Sequence, residues 1–209
     1  MSKVALITGN SKGLGKAITE RLQSEDYIVP SISSQDYDLR DPKQIEKLIS
    51  EQQQIDLVVN NLGNFVLKSI DDMDFDEWQD MLSTNLSAAW YLSKLALPQL
   101  RQSKGSIINI GFAGLESNIP SERIIAYQSC KAGLLTMTRG LAKTEAEYGV
   151  RVNMVSPGTM DNSVEHKAMD KIPMDRLASL DEVVDTVCFL IKSDYITGQN
   201  IEVAGGWGL

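Results

Sequence analysis

Short unbroken apolar runs alternate along the chain with longer stretches whose apolar positions recur every three to four residues. Val4-Ala5-Leu6-Ile7, Leu57-Val58-Val59, Ser106-Ile107-Ile108-Asn109-Ile110 and Arg151-Val152-Asn153-Met154-Val155 have the length and continuity of strands buried on both faces. Tyr27-Ile28-Val29 reads as one more, second in chain order. Helical periodicity runs through residues 16–22 and through a segment with Asp41 as its cap and Pro42 at its first position. It returns after the capping box Asp74-Phe75-Asp76-Glu77, through Trp78, Met81, Leu82, Leu86, Leu92 and Leu95 to Leu100. Further helices are expected from Tyr127 to Leu141 and from Leu180 to Leu190. Alternation of this kind predicts an α/β, Rossmann-like, doubly wound parallel sheet, here a single domain over residues 1–209. Too few residues lie between Val29 and Asp38 for the helix and strand that usually follow the second strand, so the sheet is expected to lack that edge.

Two stretches carry chemistry. The first apolar run passes directly into Thr8-Gly9-Asn10-Ser11-Lys12-Gly13-Leu14-Gly15 and then into a helix. Glycines between a strand and a helix N-terminus let the backbone turn tightly and approach a pyrophosphate, whose charge the free N–H groups favour. Dinucleotide binding by Gly9, Ser11, Lys12, Gly13, Leu14 and Gly15 follows; a glycine-rich turn that binds nothing is the alternative. The second is Tyr127-Gln128-Ser129-Cys130-Lys131, which places a phenol and an ammonium one helical turn apart on one face. A free phenol has a pKa of about 10, and a neighbouring cation is expected to bring it toward working pH. The same spacing also suits a packed ring beside a solvated lysine.

Past the second strand, where an acidic side chain would select NAD, stand Ser33 and Ser34, with Lys12 in the glycine loop. These groups can bind a 2′-phosphate, so NADP is expected over NAD. Asn85 interrupts an apolar helical pattern, and His166, the only histidine, falls in a polar segment where we expect it to be solvated. Composition narrows the partners. A net charge of −8 argues against nucleic acid and anionic membrane surfaces, and 43% hydrophobic with 23% charged residues is ordinary for a globular protein. No apolar run is long enough to span a membrane, and no signal peptide is evident, so a cytoplasmic location is expected. Cys130 and Cys188, each within a helical pattern, are expected as reduced core residues, and no metal site is expected.

Taken together, the glycine motif of residues 8–15, Asn60-Asn61-x-Gly63, Asn85, Tyr127-x-x-x-Lys131, Asn153 with Pro157-Gly158, and the ending from Thr197-Gly198 to Gly205-Gly206 resemble the short-chain dehydrogenase/reductase family over nearly the whole chain. The nearest flavour is the bacterial 3-oxoacyl reductase type. The resemblance implies that Tyr127 donates a proton to a carbonyl oxygen, that Lys131 binds the nicotinamide ribose and lowers the phenol's pKa, and that Asn85 holds a water feeding Lys131. It further implies Asp38 and Leu39 at the adenine, Asn60 and Gly63 at the adenosine ribose, Pro157 and Gly158 at the nicotinamide, and a homodimer or homotetramer. Four departures stand out. Phe112 occupies the place of the family's substrate-orienting serine, the edge after the second strand is missing, Asn162 replaces a threonine, and the substrate-covering segment of residues 160–173 is short. Phe65 falls where pteridine reductases of the family carry a stacking phenylalanine, so Phe65 and Phe112 are expected to form an aromatic slot for a planar small-molecule substrate. A 3-oxoacyl substrate is the other candidate, and a non-catalytic NADP-binding sensor is the competing class.

Overall fold

The computed structural model describes residues 2–117, 121–161 and 172–208. His166 and Asn162 lie outside them. Five parallel strands form one sheet in chain order: β1 (Ala5–Ile7), β2 (Leu57–Asn60), β3 (Ser106–Ile110), β4 (Arg151–Pro157) and β5 (Asn200–Val203). The segment expected as a strand at residues 27–29 is reduced to a single parallel bridge, Val4 to Ile28, on the outer side of β1. Pro30 follows at once and can donate no ladder hydrogen bond, which limits pairing to that bridge. No further strand lies beyond it among the described residues, in agreement with the shortened edge. Ile32 and Leu39, both buried, pin the following loop to the core in place of a helix.

Period-2 alternation sends each strand's side chains to two cores. Ala5, Ile7, Leu57, Val59, Ile108, Ile110 and Val155 meet α1 (Gly13–Ser24) and, later in the chain, α6 (Leu180–Lys192). Leu6, Val58, Ile107 and Val152 face α2 (Pro42–Ser50), α4 (Ala88–Ser103) and α5 (Ile125–Glu145). Asp41 caps α2 through the Lys43 N–H, and both halves of the Asp74–Glu77 capping box are made at α3 (Phe75–Leu82). The long apolar stretch after that box is not one regular helix. It passes from α3 into α4 through a π-turn over Ser83–Ser87, which holds Asn85. Such wide turns shift the side-chain register and are common at functional sites. Cys130 and Cys188 are both free and buried.

The chain leaves β1 for the Ile28 side of the sheet and then returns to β2 on the other side, so its direction reverses across the carboxyl end of β1. Open parallel sheets take ligands at this point.

Candidate active site

A cleft of about 860 Å³ opens at that reversal. Its floor is the glycine loop. Gly9 and Gly13 hold φ of +66° and +55°, a region side chains avoid, and so turn the chain sharply from β1 into α1. Gly15 is needed for closeness rather than for turning. A Cβ there would lie 2.3 Å from the Gly9 carbonyl oxygen and 2.5 Å from Asn61 Nδ2. Lys12 sits at the cap of α1 without a side-chain capping bond, so the first N–H groups of the helix lack a side-chain partner and face the loop. Thr8 and Asn61 stitch the two strand ends together. The Thr8 hydroxyl accepts from the Asn61 and Leu62 N–H groups at 3.0 and 2.9 Å, and Asn61 Nδ2 donates to the Thr8 carbonyl at 3.0 Å. These features fit a dinucleotide pyrophosphate.

Ser33, Ser34, Asp38, Leu39 and Arg40 wall the outer end. Asp36 occupies the donors there: its carboxylate accepts from the Ser33 hydroxyl at 2.6 Å, the Ser33 N–H at 3.4 Å and the Ser31 hydroxyl at 3.2 Å. Those bonds hold its pKa below the ordinary carboxylate value. Asp36, an anion not weighed in the sequence analysis, thus engages two donors of Ser33, a residue of this wall. Arg40 pairs with Asp38 and, at 2.8 Å, with Asp80 of α3.

At the inner end, α5 carries Tyr127 and Lys131. Lys131 is 2% exposed and its ammonium donates to the Ile110 carbonyl, the last of β3, at 2.8 Å. Burial pushes its pKa down to about 8. The same ammonium lies 5.6 Å from the centre of the Tyr127 ring. Burial drives the Tyr127 phenol up to about 12, although part of the residue's surface stays open. The expected depression by Lys131 is absent: desolvation sets the shift, with a smaller push in the same direction from Cys130. Asn85 is 1% exposed, and its Nδ2 donates to Asn64 Oδ1 at 2.6 Å, to the Asn64 carbonyl and to the Met81 carbonyl. Its Oδ1 is buried without a partner and points at Gly63, where a Cβ would stand 2.7 Å from it and 3.7 Å from Lys131 Nζ. Gly63 thus keeps open the small space that Asn85 and Lys131 share. Phe65 meets Tyr127 edge-on at 5.1 Å between ring centres, and Phe112 meets it tilted at 5.4 Å.

The family profile described as Enoyl-(Acyl carrier protein) reductase matches residues 33–208. The chain belongs to the short-chain dehydrogenase/reductase family. It is 30% identical to the 3-oxoacyl-[acyl-carrier-protein] reductase FabG of Salmonella typhimurium over 238 aligned positions, covering 98% of this chain and 96% of the relative. It is 31% identical to the uncharacterized oxidoreductase YmfI of Bacillus subtilis, covering 99% of each. A solved Bacillus thuringiensis structure, described provisionally as a 3-oxoacyl-reductase, superposes with a TM-score of 0.83 at 29% identity, covering 99% of this chain and 98% of that one. Alignments longer than the 209-residue chain mean that the relatives carry segments absent here, in keeping with the shortened sheet edge. The protein is a short-chain dehydrogenase/reductase enzyme with a Rossmann-like fold. No helix among the described residues is long and apolar enough to cross a membrane.

Of the residues singled out from sequence, Gly9, Ser11, Lys12, Gly13, Leu14, Ser33, Ser34, Asp38, Leu39 and Gly63 line the cleft. Gly15 backs it. Asn60 does not reach it. Its Nδ2 donates to Ser93 Oγ and Asn109 Oδ1 in a buried network that continues from Asn109 to Thr138. Strand alternation explains this, because Asn60 follows Val58 onto the α4/α5 face while the next residue, Asn61, turns to the cleft. Pro157, the last residue of β4, and Gly158 after it lie outside the cleft wall, the Gly158 N–H donating to the Val203 carbonyl. Tyr127, Lys131 and Asn85 stand beyond the cleft's inner limit, joined to it through Gly63 and Asn64. Arg40, Asn61, Asn64, Asp80 and Thr84 were not foreseen. For Asp80 and Thr84 a signal existed, since both lie within five residues of Asn85 on a helical stretch.

Proposed function

We propose that this enzyme is an NADPH-dependent reductase of a carbonyl or C=N group on a small molecule, with Tyr127 as the proton donor. The observation that carries the reading is the grouping of Lys131 with the Tyr127 ring, 5.6 Å from its centre, and with the Asn85 oxygen across Gly63, just past the cleft's inner limit, where burial keeps the phenol protonated at neutral pH. A bound reduced nicotinamide dinucleotide supplies the hydride. The glycine loop and the start of α1 hold the pyrophosphate, and Lys12 with Ser34 favours a 2′-phosphate over the opposition of Asp36. Tyr127 delivers its proton to the substrate oxygen or nitrogen as negative charge develops there, and Lys131, the nearest cation, steadies the phenolate left behind. Asn85 Oδ1 accepts a hydrogen bond from the water that returns a proton toward Lys131.

The substrate faces the edges of Phe65 and Phe112, which flank the donor. Two rings at this position support a flat heterocycle of the pterin kind, while similarity to FabG supports a 3-oxoacyl thioester. Phe112 brings no hydrogen-bond donor, and this favours a second reading, a dinucleotide-binding sensor derived from a reductase. NADPH oxidation followed by absorbance against acetoacetyl-CoA, dihydropterins and simple ketones tests both. Turnover with one of these that Tyr127→Phe abolishes is the expected result; tight NADPH binding with no turnover on any of them would favour the sensor. Association into a homodimer or homotetramer is supported by Trp90 of α4, 49% exposed and stacked on Tyr91, and light scattering of the purified chain tests it.

A further inference from the structure

The stretch beside β1 is joined to the sheet first by backbone and then by a side chain. At the backbone bridge the Ile28 N–H donates to the Lys3 carbonyl at 2.8 Å and the Ala5 N–H donates to the Ile28 carbonyl at 2.9 Å, so Ile28 is tied to the residues on either side of Val4. Asn10, in the glycine loop, repeats the pattern with the roles exchanged. Its Nδ2 donates to the Pro30 carbonyl at 2.9 Å and its Oδ1 accepts from the Ile32 N–H at 3.2 Å, so the amide is tied to the residues on either side of Ser31. Both partners are backbone groups, a carbonyl that only accepts and an N–H that only donates, and they alone set the sense of the amide. A primary amide offers a donor and an acceptor side by side, as a residue in a parallel ladder does. Asn10 thus carries the pairing past Ile7, the last residue of β1.

We infer that Asn10 is a positioning residue for the adenosine end of the nucleotide, holding the loop after Pro30 at a fixed height against the glycine loop. The inference rests on the proposed NADPH reading for its ligand, while the tether itself is independent of that reading. Ser11 and Lys12 follow Asn10 directly, and Ser33 and Ser34 follow Ile32. All four line the cleft, whereas Asn10 stands behind the lining. One side chain therefore sets the spacing between the lysine and the hydroxyls proposed to take the 2′-phosphate. Burial of Ile32, which is 2% exposed, draws this loop onto the core, but apolar packing has no direction along the sheet edge, and Pro30 brings no N–H to a ladder. The two bonds from Asn10 supply that direction.

Asn10→Ala removes the tether and leaves every lining side chain in place. Loss of two hydrogen bonds of ordinary net strength corresponds to about tenfold in affinity, and a rise of about that size is expected in the Kd of NADPH and of adenosine 2′,5′-bisphosphate, each measured by calorimetric titration. At saturating NADPH, with acetoacetyl-CoA or whichever acceptor the panel identifies, kcat is expected to stay within about twofold, because an interaction lost equally from ground and transition states leaves it unchanged. Hydrogen exchange on the protein without nucleotide reads the tether directly. The Ile32 amide is expected to exchange about tenfold faster in the variant, with protection in β1 and α1 unchanged. Kd values within about twofold of wild type, a fall in kcat at saturation, an unchanged Ile32 amide or a general loss of protection would each overturn the inference. If wild type binds neither probe, the NADPH reading fails, and the exchange rates alone then decide for or against the tether.

Discussion

The two ends of the cleft are built by different means. The end proposed to hold phosphate is made of backbone: two glycines at positive φ, a third that lets α1 close on the strand turn, and helix N–H groups left without a side-chain cap. The end proposed to transfer a proton is made of side chains held from several elements, with Tyr127 and Lys131 from α5, Asn85 from the π-turn, and Phe65 and Phe112 from the loops after β2 and β3. A backbone site tolerates almost any residue that leaves its turn intact, whereas a side-chain site depends on burial and on the orientation of each partner.

The comparison is broken most severely by Tyr127→Phe, which keeps the ring packed between Phe65 and Phe112 and deletes only the acid. Turnover is expected to fall on the order of a hundred- to ten-thousand-fold with NADPH affinity nearly unchanged, as steady-state kinetics and fluorescence titration will show. Lys131→Met tests the cost of burying a cation. Below pH 8 the ammonium is charged in both folded and unfolded chains, so its full burial penalty is present there. Between about pH 8 and pH 10.4 the folded chain gives up its proton first, and stability rises as the penalty fades. Denaturant unfolding should find the variant more stable than wild type by a few kcal/mol at pH 7, with the gap closing as pH approaches 10. Turnover should be lost with it.

Gly15→Ala acts at the other end. The added methyl meets the Gly9 carbonyl oxygen, which is backbone and cannot move aside cheaply, so the loop must open. A loss of about 1–3 kcal/mol in stability is expected, with weaker dinucleotide binding and an unaltered pH profile. The smallest effect is expected of Asp36→Ser. Removing that carboxylate frees the Ser33 donors, and the ratio of NADPH to NADH affinity, measured by titration of each, should rise about threefold to tenfold. A ratio that falls would show that Asp36 serves the phosphate rather than opposing it.

This difference in construction also decides what could be read from the chain beforehand. Glycines at fixed offsets between a strand and a helix announce a backbone site, and the layered fold followed from the apolar alternation. The missing sheet edge was a matter of counting residues. Side-chain direction at a strand end was harder. Asn60 and Asn61 are chemically identical neighbours, and only the pleat of β2 decides that one enters a buried network while the other joins the loop. The phenol's raised pKa was not legible either. Spacing places a cation one turn away, but which of charge and desolvation prevails depends on how deeply the rest of the fold covers the pair.

The abbreviated sheet margin beside Ile28 bears on timing. With a loop anchored by Ile32 and Leu39 in place of a further helix and strand, the outer end of the cleft is bounded by Arg40 and the two carboxylates it pairs with, and in the proposed reductase the adenosine would rest against them. In that proposal a berth so open to solvent is expected to shorten the residence time of spent nucleotide and to move the slow step of each cycle away from release and toward proton transfer.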